Sequence, residues 1–458
     1  MEKSQRRAVF VCGQCGKESP KWLGRCPECQ AWNSFTEQTA RPQPKRASFG
    51  NAPQELSQIT SEGGERFPLP LGEFNRVLGG GVVAGSLVLI AGEPGIGKST
   101  LMLQVSGQAA ASRGQVIYVS GEETAQQIKL RAQRLGIKGE RLYLLAENNL
   151  EAILSHIEQM QPAMVVVDSI QAIYHPDSDN SPGSVTQVRE CAQQLQAQAK
   201  QSQVPVFITG HVTKEGAIAG PRVLEHIVDV VLYLEGEPFS AYRLLRGIKN
   251  RFGSTNEVGV FEMKERGLEE VPNPSKAFLS ERLEGTVGSA VVPTLEGSRP
   301  LLAEVQALVN PTSFGLPRRT ASGVDFNRLL LIAAVLSRRA GLKLGSQDII
   351  VNVTGGLKVS EPAADLAIAL AIASSYHDRP VAPALAAVGE VGLNGEIRTV
   401  SQLERRLGEA ARLGFKRCLV PKSRALPKAP EGMELIPAAN VREAISAGLV
   451  KEKDKQEE

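Results

Sequence analysis

The sequence predicts an α/β protein: helices covering a largely parallel sheet, with a separate domain at each end of the chain. Three observations carry this. Between about Ser61 and Glu270, short apolar runs alternate with helical patterns, as strands and crossover helices do. Within that region the stretch GEPGIGKS, Gly92–Ser99, sits between one such run and a helix-forming segment. Four of the six cysteines crowd the first thirty residues. A length of 458 residues accommodates about three domains at ~150 residues each.

The cysteines come first in the chain. Cys12, Cys15, Cys26 and Cys29 are spaced C-x₂-C-x₁₀-C-x₂-C, two paired knuckles that suit a tetrahedral thiolate site for Zn²⁺. Gly13, Gly16 and Gly24 lie beside them and permit tight knuckles. Two disulfides are the competing reading, which a cytoplasmic compartment disfavours. With all four positions supplied by protein the metal is structural. Trp22 and Trp32 are expected to pack this small domain, residues 1–37, and the isolated Cys191 and Cys418 read as ordinary thiols. Residues 38–60 turn to Pro, Gln, Ser and basic residues with little periodicity and read as a linker.

The central domain, residues 61–272, opens with strand-like runs at Leu87–Ala91, Val116–Ser120, Met164–Asp168, Val206–Thr209 and Val228–Leu234. Helical patterns such as Ala125–Leu135 and Val185–Gln201 fall between them. Gly92–Ser99 matches G-x-x-x-x-G-K-[ST], the phosphate-binding P-loop. Gly92, Gly95 and Gly97, with Glu93, Pro94 and Ile96 between them, form a backbone cradle of N–H groups for a polyphosphate. The helix that Thr100 continues adds its dipole. Lys98 is placed for the β- and γ-phosphates of ATP and Ser99 for Mg²⁺.

In such folds ligands sit at the carboxyl ends of the strands. Asp168 closes the run MVVVD in the manner of a Walker B aspartate, a second Mg²⁺ holder. Glu122 and Glu123 follow the strand VIYVS; one of them orients and polarises the attacking water, with Glu122 preferred and Glu123 the alternative. Thr209 and His211 end VFITGH and are placed to sense the γ-phosphate, a structural role for the histidine being the alternative. Farther on, Lys249 and Arg251 in IKNRFG lie two apart, so on a strand they share a face. They read either as solvated charges or as an arginine-finger pair for a neighbouring subunit.

Composition narrows the function classes. Hydrophobic residues make up 42% and charged residues 22%, as in a globular protein. No run of 18 or more uncharged apolar residues is present, which argues against a membrane span, and a cytoplasmic location is expected. The net charge of +3 neither requires nor excludes nucleic acid, since local patches decide that.

Taken in order, the four-cysteine motif, GEPGIGKST, YVSGEE, GHVTKEG and KNRFG resemble the bacterial RadA family, also called Sms, of DNA-repair and recombination ATPases, over essentially the whole chain. The resemblance implies a RecA-like P-loop ATPase core, organised like the motor of DnaB-type helicases. It further implies a homohexameric ring that moves on single-stranded DNA with ATP and promotes branch migration, with a RecA-type recombinase as partner. On the same ground Lys249 and Arg251 act in trans. The segments Tyr174–Val185 and Lys214–Arg222 match the DNA-binding loops of RecA-like proteins in position, with Lys214 and Arg222 as phosphate contacts.

The last domain, residues 273–450, carries no P-loop and is followed by a charged tail, 451–458. GSAVVPTLEGSRPLLAEVQALV reads as strands broken by a turn at Glu296–Arg299. FNRLLLIAAVLSRRAGLKLG, ADLAIALAIASS and QLERRLGEAARLGF read as helices, an α+β mixture. GGLKVSEPAADLAIALAIAS and VGEVGLNGEIRTVSQLERR resemble the peptidase domain of Lon proteases. Carried over, the serine nucleophile falls at Ala363 and the lysine base at Glu404, so a pseudo-protease domain is expected. Ser360 and Lys358 lie nearby but require a shifted register. Arg318 and Arg319, in GLPRRT, are candidate DNA contacts or solvated charges.

Overall fold

The computed structural model describes residues 8–39, 55, 66–211, 221–236, 240–313 and 315–450. At the amino end β1 (Ala8–Cys12), β2 (Glu18–Ser19) and β3 (Phe35–Thr39) pair antiparallel in the order β2-β1-β3. The interior of this ribbon is Cys12, Cys26 and Phe35, flanked by Phe10, Cys15 and Leu23. The expectation that the tryptophans pack it is corrected: Trp32 is 71% exposed and Trp22 51%. So small a sheet has room inside for the sulfur cluster and little else. Trp22 Nε1 instead donates to the Phe35 carbonyl and Arg25 lies over the Trp32 ring.

A short pair, β4 (Arg66–Phe67) and β5 (Val82–Val83), flanks α1 (Gly72–Leu78). The central sheet follows: β6 (Leu87–Gly92), β7 (Val116–Ser120), β8 (Leu142–Ala146), β9 (Met164–Asp168), β10 (Val206–His211), β11 (Val230–Glu235), β12 (Tyr242–Asn250), β13 (Val258–Lys264) and β14 (Gly267–Glu270). Among the described residues these nine form one sheet in the order β14-β13-β12-β11-β6-β10-β9-β7-β8. The run from β11 to β8 is parallel, and β12 adds to β11 antiparallel. Helices α2 (Lys98–Ser112), α3 (Ala125–Arg134), α4 (Leu150–Met160) and α5 (Val185–Ser202) make the crossovers.

Alternation along each strand explains why both faces are buried. Val88 and Ile90 of β6 face a core with Phe74, Leu101 and Phe207, while Leu87, Leu89 and Ala91 face another with Val188, Cys191 and Leu195. Strand β8 escaped the sequence reading because an edge strand keeps half its residues out of the core, and LYLLA is only partly buried.

This compact unit runs to residue 236 and resumes at 243–270; the other comprises 237–242 and the chain from 271 on. In the second, β15 (Ser289–Glu296) and β16 (Arg299–Pro311) form the hairpin turning at 296–299. With β17 (Arg319–Ser322), β18 (Gln347–Val353), β19 (Leu385–Ala387), β22 (Arg417–Pro421) and β23 (Glu434–Ala438) they make a mixed sheet, order β17-β18-β16-β15-β19-β22-β23, while β20 (Glu390–Val391) and β21 (Ile397–Arg398) pair apart. The helix Asp365–His377 is buried along Asp365–Ser374, which accounts for its all-apolar sequence.

Candidate ATP-hydrolysis site and metal centre

Register brings the carboxyl ends of four strands together. His211 pairs with Gly92 across β10 and β6, and Ser120 with Asp168 across β7 and β9. The P-loop leaves β6 at this edge. Gly97 takes φ 115°, and a Cβ there would stand 2.7 Å from the Met263 methyl; a Cβ on Gly92 would meet the Leu234 carbonyl. The glycines are therefore demanded by backbone angle and by close approach together. Glu93, Pro94 and Gly95 are exposed at the loop tip, Ile96 is buried, and Ser99 and Thr100 occupy the first turn of α2.

Lys98 begins α2 and folds back over the loop, donating to the carbonyls of Gly92 and Glu93 at 2.9 Å each. Burial pushes its ammonium down to about 8, against the pull of Asp168 and Glu122. Asp168 is gripped on both oxygens: Tyr118 donates its phenol at 2.6 Å and Thr209 its hydroxyl at 2.5 Å. Burial, then the Asp168 charge, holds the Tyr118 phenol well above its usual range, so it stays a donor.

The two glutamates separate cleanly. Glu123 is clamped by Arg131, whose two Nη atoms donate to its two oxygens at 2.8 and 2.5 Å. Glu122 instead accepts one bond, from the Ser169 hydroxyl at 2.6 Å, beside Asp168. His211 has a buried Nδ1 without a partner among the described residues. Burial, then Lys98, keeps its imidazolium below the usual histidine range. A buried ammonium and a glycine cradle are the donors a Mg²⁺–nucleotide polyphosphate satisfies, with the unpartnered His211 nitrogen near them, so the residues fit that group.

Sequence reasoning missed Tyr118, Ser169, Arg131 and Arg243. Tyr118 carried a signal, a hydroxyl inside an apolar strand. Arg243 is buried and donates Nε to the Ile96 carbonyl at 3.3 Å, bracing the loop from behind. Nothing in its local sequence points to that contact.

Lys249 and Arg251 lie elsewhere. Arg251 falls just past β12, and both side chains meet the segment 225–229. This is the edge where the parallel strands begin, opposite the P-loop. Lys214 lies outside the described residues; Arg222 belongs to the four-residue helix Pro221–Leu224. Arg318 is exposed, whereas Arg319 turns inward onto the carbonyls of Gln347 and Leu344, so its guanidinium is committed within the domain.

In the ribbon the four Sγ atoms lie within 4.8 Å of one another, Cys12–Cys29 at 3.6 Å and Cys15–Cys26 at 3.5 Å. A tetrahedron with Zn–S of about 2.3 Å has S–S edges of about 3.8 Å, so four thiolates here fit Zn²⁺.

In the second unit Ala363 is buried, with Glu361 two residues before it. Glu404, which stands at the place of the lysine base, is exposed. Two basic groups flank the Ala363 segment: Arg406, 1% exposed, forks onto Glu361 with two contacts of 2.6 Å, and Arg328 forks onto Asp365.

Three domain families match: the rubredoxin metal binding domain at residues 10–37, the AAA domain at 56–217, and subunit ChlI of Mg-chelatase at 314–424. Curated relatives cover nearly the full chain. The protein named DNA repair protein RadA in Bacillus subtilis is 53% identical over 97% of this chain and 99% of its own. Its namesake in Listeria monocytogenes is 51% identical over 98% and 100%, and that of Streptococcus pyogenes 53% over 97% and 99%. A KaiC-like protein of Pyrococcus horikoshii aligns over 46% of this chain and 100% of its own, at 21% identity and a TM-score of 0.39.

Proposed function

The chain belongs to the RadA family of DNA repair proteins, and from that premise we propose that it is an ATP-driven motor on single-stranded and branched DNA. It works as a homohexameric ring, extends strand exchange by branch migration, and acts beside a RecA-type recombinase in the cytoplasm. No described helix is long and apolar enough to cross a membrane. The observation that carries the reading is the division of the site. Phosphate and water-activating groups gather at one edge of the central sheet, while the Lys249 and Arg251 cations stand at the opposite edge, beyond reach of their own P-loop.

Ser99 and Asp168 would hold Mg²⁺, which would neutralise charge on the phosphates. The P-loop amides and Lys98 orient the triphosphate. Glu122, with its second oxygen outside the Ser169 bond, takes the proton of the attacking water. Glu123 is neutralised by Arg131 and serves structure. A neighbour's Lys249 and Arg251 stabilise the charge that develops on the transferred group. His211 ends β10 and precedes Lys214–Arg222 in the chain, which supports a role in reporting the γ-phosphate to a DNA-contacting segment. Arg318 is the exposed candidate contact in the second domain.

That second domain is expected to lack peptidase activity. The Ala363 methyl cannot attack a carbonyl, and Glu404, at the place of the lysine base, reverses that base's charge. The ribbon holds Zn²⁺ for structure.

The test is the ATPase rate with and without single-stranded DNA. The motor reading expects stimulation that Lys98→Ala abolishes. A rate indifferent to DNA points instead to a signalling ATPase built on the same core.

A further inference from the structure

Asp229 stands immediately before β11 and is 3% exposed. Its backbone is tied on both sides: its N–H donates to the Leu87 carbonyl at 2.9 Å, and its carbonyl accepts from the Arg251 N–H at 3.1 Å. The side chain repeats the pattern. One oxygen accepts from the Leu87 N–H at 3.1 Å and the other from Arg251 Nη1 at 3.1 Å. Lys249 reaches the same segment, donating to the carbonyls of Val228, at 2.9 Å, and Glu225.

The pairing joins a buried anchor to an exposed cation, for the Asp229 side chain is 4% exposed and that of Arg251 47%. Among the described residues only Nη1 makes the contact, which leaves N–H groups on Nη2 and Nε for an anion. Leu87 opens β6, whose other end is Gly92 at the P-loop. Five steps of about 3.3 Å separate them, roughly 17 Å, so this carboxylate acts far from its own subunit's phosphates.

We infer that Asp229 is a positioning residue: it holds the Arg251 guanidinium at the amino-terminal edge of the sheet in the pose from which it serves the nucleotide of the next subunit. The inference rests on the trans-finger reading proposed above. A surface ion pair between two mobile side chains would not order the finger. A buried carboxylate fixed by a strand amide does, because moving it would break its bond to Leu87 and leave it unpaired.

Subunit mixing tests this with full-length protein, ATP and single-stranded DNA. A Lys98→Ala subunit keeps its finger but loses its phosphate grip; an Arg251→Ala subunit keeps the grip but loses the finger. Mixed, they are expected to recover hydrolysis that neither shows alone. The donor is then changed to Lys98→Ala/Asp229→Asn, and co-assembly with the acceptor is checked by tagged co-purification. Recovery is expected to drop at least tenfold. Any effect of Asp229→Asn on the donor's own ATP site is silent, since that site is already dead. Undiminished recovery overturns the role of Asp229 and leaves the finger intact. No recovery from the first mixture overturns the finger itself, and the inference with it. Should the Asn donor fail to assemble, Asp229→Glu keeps the charge but displaces the carboxylate by one methylene. Partial recovery is then expected, and recovery equal to that of the Asp229 donor overturns the inference.

Discussion

Replacing Glu122 by Gln separates the two adjacent glutamates. The substitution keeps size and the acceptor for the Ser169 hydroxyl, 2.6 Å away, but removes the basic oxygen. General-base assistance contributes about 10²–10⁴-fold, or roughly 2.7–5.4 kcal/mol of barrier, and kcat is expected to fall by that factor. ATP binding is expected to be retained, because Lys98 and the loop amides are untouched. Glu123→Gln is the internal contrast. Its carboxylate is already spent on Arg131, with side chains 34% and 23% exposed, and an ion pair of this exposure is worth about 0.2–1 kcal/mol of stability. Its kcat is expected to stay within about threefold of the parent. The assay is phosphate release at saturating ATP, paired with binding of a fluorescent nucleotide. If Glu123→Gln abolishes turnover while Glu122→Gln keeps a tenth or more of it, the assignment from geometry is refuted.

Lys98 titrates from about 8 in the folded chain against the ordinary 10.5. In the free protein, kcat/KM for ATP is therefore expected to fall as pH rises through about 8, and a profile flat to pH 9.5 would count against the phosphate role. Stability moves the other way: between those two values the unfolded chain binds more protons, so this group's contribution to stability rises with pH there. Cys26→Ser is expected to lose bound zinc by dye titration and leave the ribbon unfolded, since structural zinc supplies about 10–16 kcal/mol; a ribbon that resists proteolysis without metal would contradict this. Arg406→Met strands Glu361, which also accepts from Thr294 and the Leu295 N–H. A loss of about 3–5 kcal/mol is expected, read as faster hydrogen exchange along 361–412, and unchanged exchange would show the pair to be dispensable.

How much was legible follows from the range of each interaction. The P-loop, the four-cysteine spacing and the strands ending at Ser120 and Asp168 are local patterns, and they stand in the structure as read. The apolar runs marked the strands, and the rule that ligands sit at the carboxyl ends of strands pointed to Glu122, Asp168 and His211 from sequence alone. The tertiary structure decided partners. Whether Glu122 or Glu123 stays available depends on Arg131, one turn and more away on α3. Whether Arg251 is a loose surface charge or an anchored one depends on Asp229, twenty-two residues earlier. Whether position 404 or 406 faces the interior depends on the rotation of one helix against Glu361. Sequence periodicity fixes which face a residue takes when a single core demands it. It does not choose among several polar partners, because that choice is made by hydrogen-bond geometry between segments brought together only by folding.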